Sequence, residues 1–267
     1  MAEPRTPLGL STADRHTSAW FNEHYEDAAS QVVNYLAGDN ITMAGADVAD
    51  VGCGDGLIDL GLAHKAKPRS LVGFDLRATD VAELAERSRT EGVGDELPEC
   101  LSFRTCGPRH LPADDDTFDF VVTWSAFEHI EDPVAVFREI SRVMRPTGIL
   151  FLQLWPFYAS EHGAHLWDCL ADDSYAHLYR TEADIEREVR ERADHAPEVL
   201  DDLLEVFRTL NKITLDDLQR AMVAGGLRPS KIELLTETVH IPPSLARRSL
   251  SQLGISGVKI LAVHASL

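Results

Sequence analysis

The chain is predicted to fold as a doubly wound α/β protein with a mostly parallel sheet. Strands alternate with helices from residue 46 onward. The strand over 46–51 runs straight into a glycine-rich turn that opens a helix. Residues 118–123 are apolar enough to be buried on both faces, as a central parallel strand is. With 267 residues, 44% of them hydrophobic and 26% charged, the chain has globular composition and the length of one large domain or two small ones.

Residues 1–12 read as a loose tail. Trp20, Phe21, Tyr25, Ala28, Ala29, Val32, Val33 and Leu36 fall mostly at spacings of three and four, which predicts a helix. Gly38-Asp39-Asn40 ends it. The first strand then leads through Gly52-Cys53-Gly54-Asp55-Gly56 into a helix over 57–64. A second strand over 71–74 closes at Asp75, and a helix follows over 79–90. Strands are predicted over 101–105 and 118–123. Asp132-Pro133 is an N-cap with proline at N1, and the helix it opens carries Val134, Phe137, Ile140 and Val143. Pro146-Thr147-Gly148 should stop that helix, and 149–154 is the fifth strand.

The periodicity changes at Pro156. Residues 156–213 are polar, with no strand to place, and read as a helical insertion forming a lid. This composition predicts no core of its own, so the lid should be mobile and close on ligand. Its charged stretch 182–207 carries Ile185, Val189, Val199, Leu203 and Phe207, one buried stripe of a helix or helix pair. A homodimer contact is the alternative use of that stripe. Alternation resumes at Thr214, a cap with Asp217 three residues on, and Gly225-Gly226 ends the helix. A strand over 231–240, a short helix from Pro242 to Leu253 and a last strand over 258–264 complete the chain. The predicted segments are therefore 1–45, 46–155, 156–213 and 214–267.

There are 25 Lys and Arg against 44 Asp and Glu, a formal net charge of −19. That charge argues against nucleic acid and against an anionic membrane surface as partners, but not against a local small-molecule site. No apolar stretch is long enough for a membrane span, and Met1 to Thr12 lacks the apolar core of a signal peptide. The four cysteines form no CxxC. A cytoplasmic setting and no structural metal are expected.

The sharpest chemical signal is the glycine turn after Asp50. Its spacing is G-x-G-x-G, with Leu57 where the dinucleotide fingerprint needs the last part of G-x-G-x-x-G. Asp50, two residues before Gly52, sits poorly beside a pyrophosphate and calls for a positive or neutral polar ligand group. Asp75 ends the second strand about 20 residues on, where an acid can take both hydroxyls of a ribose. Together these suggest an adenosine nucleoside without phosphates.

The run from Val48 to Gly56 resembles the glycine-rich motif of class I S-adenosylmethionine-dependent methyltransferases. The resemblance continues over 111–122, in Phe127-Glu128-His129-Ile130-Glu131-Asp132-Pro133 and over 144–150, and is closest to the branch acting on quinones and small metabolites. It covers 46–155 closely and 214–267 loosely. It implies a seven-stranded sheet with the last strand antiparallel and S-adenosyl-L-methionine as cofactor. It implies Asp50, Gly52, Cys53, Gly54 and Gly56 about the methionine part, Asp75 on the ribose, Leu76 beside the adenine and Thr123 bordering the methionine moiety. Where the family carries an acid after the third strand, this chain has Gly107-Pro108, leaving backbone groups to hold the adenine. In related folds a helix such as the one with Trp20, Phe21 and Tyr25 closes over the cofactor, though packing explains these aromatics equally well.

The resemblance implies methyl transfer to a small molecule, O-methylation of a natural-product or sugar-like hydroxyl first. C-methylation of a quinone-like ring and a non-catalytic S-adenosylmethionine-binding regulatory role are the alternatives. His129, just beyond the fourth strand, is a candidate general base, against the bland reading of a residue bonding the next helix. His162 and His165 on the lid are candidates for acceptor contact or base catalysis. Metal binding by that pair lacks an obvious third ligand.

Overall fold

The computed structural model describes residues 15–170, 172–192 and 195–265. The tail expected over 1–12 lies outside the described residues. Strands β1 (Asp47–Val51), β2 (Ser70–Asp75), β3 (Leu101–Thr105), β4 (Phe118–Trp124), β5 (Met144–Leu154), β6 (Leu227–Thr236) and β7 (Ile255–His264) form one sheet in the order β3-β2-β1-β4-β5-β7-β6. β1 pairs in parallel with both β2 and β4. β7 alone runs antiparallel to its neighbours β5 and β6. The strand order therefore reverses between β1 and β4, and a ligand crevice is expected outside their C-terminal ends.

Alternation along the strands sends side chains to two cores. Val48, Phe120, Val122 and Phe151 pack with Val32 and Leu36 of α2 (Ala29–Ala37) and with Ile58 and Leu62 of α3 (Leu57–Ala66). Ala49, Val51, Val121 and Leu152 pack on the other face with Phe137 and Ile140 of α5 (Pro133–Val143) and Leu218 and Met222 of α8 (Leu215–Ala224). Burial of Phe120, Val121 and Val122 of β4 on both faces is what their apolar run predicts. The caps also appear as read. Asp132 accepts the Ala135 N–H at 3.1 Å with Pro133 at N1, and Thr214 and Asp217 close a capping box. Among the described residues no helix is long and apolar enough to cross a membrane.

The chain's first helix is not regular. A short α1 (Ser18–Phe21) passes into a π-helical segment, Asn22–Ala28, before α2. Gly61 of α3 makes this crossing fit, since a Cβ there would lie 2.2 Å from the carbonyl oxygen of Tyr25.

Four expectations are corrected. Pro146-Thr147-Gly148 does not separate helix from strand: α5 ends at Val143, and the three residues lie inside β5 where its register to β4 shifts. β6 occupies 227–236 rather than 231–240. It is an edge strand, so Pro229 is tolerated there and most of its side chains meet solvent. The helix expected up to Leu253 is two short pieces, Pro243–Leu245 and α9 (Leu250–Gly254). The insertion does have a core of its own. Ile185 and Val189 of α6 (Glu182–Arg192) meet Leu200, Leu203, Leu204 and Phe207 of α7 (Pro197–Thr209), with Leu166, Leu170 and Ala176 beneath them.

Candidate functional site

The glycine turn is held from below. Gly52 N–H donates to the Phe74 carbonyl at 2.8 Å, and Gly54 N–H donates to Asp75 Oδ2 at 3.1 Å. Gly52 sits at φ 85°, and a Cβ there would lie 2.5 Å from the Ala126 Cβ, so only glycine lets the turn pass the loop after β4. Gly54, at φ 55°, has open space where its Cβ would stand. Gly56 differs from the expectation. It lines neither of the two cavities described below, and its missing Cβ makes room for the Phe103 ring, at 2.7 Å. Its role is packing at the head of α3.

Two cavities adjoin across Gly52, Ser125 and His129. The second, of about 410 Å³, is walled by Asp75, Leu76, Gly107, Pro108, Leu111 and Ile130 among others. Asp75 Oδ1 accepts the Arg77 N–H at 3.1 Å, so each carboxylate oxygen keeps a further lone pair beyond its backbone bond. Leu76 is 62% exposed, an apolar surface without a protein partner to cover it. Gly107 corrects the idea that its backbone is free for a ligand. Its N–H and carbonyl are both bonded to His110, at 3.0 and 3.3 Å. The loop is further fixed by Glu139, which accepts from Leu111 N–H at 2.9 Å and from Arg142.

The first cavity, of about 330 Å³, lies on the other side of the turn. Cys53 and Gly54 form part of its floor, with Trp124 and Ser125 from β4 and its following loop and Trp155 after β5. The N-terminal helical segment supplies Trp20, Glu23 and His24 to the same cavity. Trp20 Nε1 donates to Asp55 of the turn at 2.9 Å, and its ring stacks on His24 with centroids 4.0 Å apart. The insertion contributes His165. Ser125 and His165 both hold positive φ without being glycine, at 44° and 58°, the kind of backbone strain that collects at functional sites. Ser125 is held there by Gln153, whose Oε1 accepts from its hydroxyl at 2.8 Å.

The electrostatics of this cavity are those of buried acids and neutral imidazoles. Burial pushes Glu128 up to about 8, and burial with nearby Asp27 pushes Glu23 up to about 7. Burial holds His165 down at about 3, helped by His129 and His177, and lowers His24 as well; the protein packed around the His129 ring lowers it too, although part of that residue is open to solvent. Cys53 is no nucleophile, because burial and the acids Asp59 and Asp50 push its thiol far above its ordinary range.

The structure brings His129 and His165 together, their ring centroids 5.3 Å apart. It does not bring His162 to them. His162 turns toward Glu237, with Nε2 4.0 Å from its carboxylate, and lines neither cavity. Thr123 also lines neither; it is fully buried, because β4 runs one residue further than expected and presents Trp124 and Ser125 instead. Asp50 is 1% exposed and lies beneath the turn against Asp59, so it does not offer itself to a ligand as expected. Burial, with the charge of Asp75, raises it to about 7.

Glu128, Trp124, Trp155, Glu23 and His24 were not among the sequence-derived site residues. Glu128 could have been found, since it stands within the Phe127–Pro133 motif beside His129. The tie that positions it could not. Asn211, at the far end of the insertion, donates from its side chain to the carbonyls of Phe127 and Ile130, at 2.6 and 2.8 Å, and from its N–H to that of Glu128.

Comparison with known proteins bears on this geometry. Residues 49–152 match a methyltransferase domain family. The ubiquinone biosynthesis O-methyltransferase of Xanthomonas oryzae pv. oryzae is 33% identical over 114 residues, 42% of this chain and 44% of that one. The erythromycin 3''-O-methyltransferase of Saccharopolyspora erythraea is 32% identical over 125 residues, 47% of this chain and 40% of that one. The chain thus spans less than half the length of these relatives. Among solved structures, the geranyl diphosphate C-methyltransferase from Streptomyces coelicolor A3(2), in complex with Mg2+, geranyl diphosphate and S-adenosyl-L-homocysteine, aligns with TM-score 0.56 at 15% identity, over 99% of this chain and 92% of that chain. The [4+2]-cyclase SpnF aligns with TM-score 0.55 at 17% identity, over 95% of this chain and 85% of that chain. These two likenesses establish a shared fold.

Proposed function

We propose, from the match of residues 49–152 to a methyltransferase domain family and from the shared fold, that the protein transfers the methyl group of S-adenosyl-L-methionine to a small-molecule acceptor, O-methylating a hydroxyl. The observation that carries the reading is the pair of adjoining cavities meeting at Gly52, Ser125 and His129, one beside the Asp75 carboxylate and one among aromatic and titratable side chains. The residues present fit the cofactor. Asp75 has lone pairs for two ribose hydroxyls, Leu76 and Pro108 offer apolar cover to a purine, and the open space over Gly54 leaves room for the amino-acid end.

When bound, the cofactor supplies an electrophilic sulfonium methyl group. The chain's work is then alignment and exclusion of water. Trp20, Trp124 and Trp155 give the first cavity the aromatic walls that would hold an acceptor. His129 and His165, both favoured as neutral rings, are placed to deal with the proton that a hydroxyl must lose. The two O-methyltransferases among the relatives favour oxygen as the methylated atom. The net charge of −19 favours an acceptor other than nucleic acid.

The test is incubation with methyl-tritiated S-adenosylmethionine and a panel of phenols, hydroquinones and sugar-bearing macrolides. The reading expects label in an extractable product whose NMR spectrum shows an O-methyl signal. A ring C-methyl signal would favour the quinone-ring alternative. Cofactor binding with no transfer to any of the panel would favour the regulatory one.

A further inference from the structure

Glu128 is 2% exposed, and neither of its carboxylate oxygens has a hydrogen-bond partner. A buried acid left so is costly, and it faces a cavity rather than packed core. Beside it stand His129, on the same turn, and His165, from the insertion. One donor atom from each of the three lies within 4.8 Å of the other two. Zinc bonds of about 2.1 Å place tetrahedral donors about 3.4 Å apart, so a closing of at most about 1.4 Å per pair brings the set to bonding distance. His129 is exposed and has room for that shift.

We propose that Glu128, His129 and His165 bind one divalent first-row transition-metal ion, zinc being the simplest case, on the wall of the first cavity. Two imidazoles and one carboxylate are a donor set suited to such ions, and they leave coordination positions open. Those positions face the space assigned above to the acceptor. The inference rests on that assignment for its role, though not for the binding itself. An acceptor hydroxyl bound there gives up its proton to water more readily. Its oxygen then forms the O–CH3 bond as the S–CH3 bond breaks, and the electron pair of that bond stays on sulfur. With the ion bound, the imidazoles serve as its ligands, and the handling of the hydroxyl proton assigned to them above passes to the ion and to water. Because His165 comes from the insertion, the ion would also tie 156–213 to the β4 side of the sheet.

The full chain, stripped with EDTA and dialysed, is titrated calorimetrically with ZnCl2 and with CoCl2 in the absence of S-adenosylmethionine. The proposal expects one ion per chain. It expects affinity to fall by at least ~100-fold in both Glu128→Gln and His165→Ala, beyond what loss of an outer-shell partner brings, while S-adenosylhomocysteine binding shows that the variants are folded. Glu161, His162 and Glu237 form a second group of comparable spacing, so His162→Ala is the control. No saturable binding by the unaltered chain overturns the proposal, as does binding lost in His162→Ala and kept in Glu128→Gln. Methyl transfer at full rate by a metal-free chain overturns the role of the ion in the reaction and leaves the methyltransferase reading standing. Metal bound on these ligands with no methyl transfer does the reverse.

Discussion

Replacing Asp75 by Asn probes the cofactor side most sharply. Its two carboxylate oxygens each accept one backbone N–H, from Gly54 and Arg77, both at 3.1 Å. The remaining lone pairs are what a ribose would use. Each such bond to a charged acceptor contributes about 1.5–3 kcal/mol. Asn keeps one acceptor oxygen and loses the charge, so one bond is lost and the other weakened. A loss of about 2–4 kcal/mol follows, roughly 30- to 1000-fold in affinity. Ala would release both the Gly54 and the Arg77 N–H, whereas Asn with its oxygen turned to Gly54 releases only the Arg77 N–H and keeps the turn tied, which makes Asn the cleaner change. Calorimetric titration with S-adenosylhomocysteine reads the affinity, and a thermal melt without ligand checks the fold. Affinity within about threefold of the unaltered chain, with the melt unchanged, would refute the placement of the ribose at Asp75.

Other perturbations test neighbouring parts of the structure. Arg142, the Leu111 N–H and His110 hold Glu139 from its ordinary 4.5 down to about 2; its stabilisation is present above about pH 4.5 and lost as pH falls toward 2, at most about 3 kcal/mol. Urea midpoints across that range should fall less steeply in Glu139→Gln; an identical acid profile would show that the network contributes nothing. Gly61→Ala should cost about 1–3 kcal/mol by forcing α3 away from Tyr25, and an unchanged urea midpoint would contradict that close approach. With an acceptor in hand, His129→Ala and His165→Ala should each lower turnover by about 10²–10⁴, whereas His162→Ala, which faces Glu237, should stay within about threefold; the opposite ranking would move the reacting centre.

The reach of the sequence follows from which forces are local. The Asp132-Pro133 start and the Thr214–Asp217 cap are set by residues within a few positions of one another, and the turn from Asp50 to Gly56 announces itself by its glycine spacing, so each was legible. The β4 run was legible because burial on both faces leaves no polar alternation. β6 was placed four residues late because Arg228-Pro229-Ser230 breaks its apolar alternation, an interruption that an edge strand tolerates. The insertion core was missed for a different reason. Its stripe of Ile185, Val189, Leu203 and Phe207 was legible, but only the fold shows that α6 and α7 pool it with Leu166, Leu170 and Ala176, residues far apart in a polar segment, into one core. Site residues divide the same way. Gly52, Gly54 and Asp75 follow from a motif, while the meeting of Glu128 with His165, and its support by Asn211, depends on contacts across the fold. The π-helical segment that sets Glu23 and His24 into the first cavity crosses α3 closely at Gly61, an approach that helical periodicity does not encode.

The central claim is that the crevice over Gly52 and Gly54 takes an adenosyl sulfur ligand in place of a dinucleotide. Calorimetric titration of the full chain with S-adenosylhomocysteine, and in parallel with NAD, tests it directly. The account predicts one saturable site for S-adenosylhomocysteine and no heat from NAD; saturable NAD binding with S-adenosylhomocysteine ignored would contradict it.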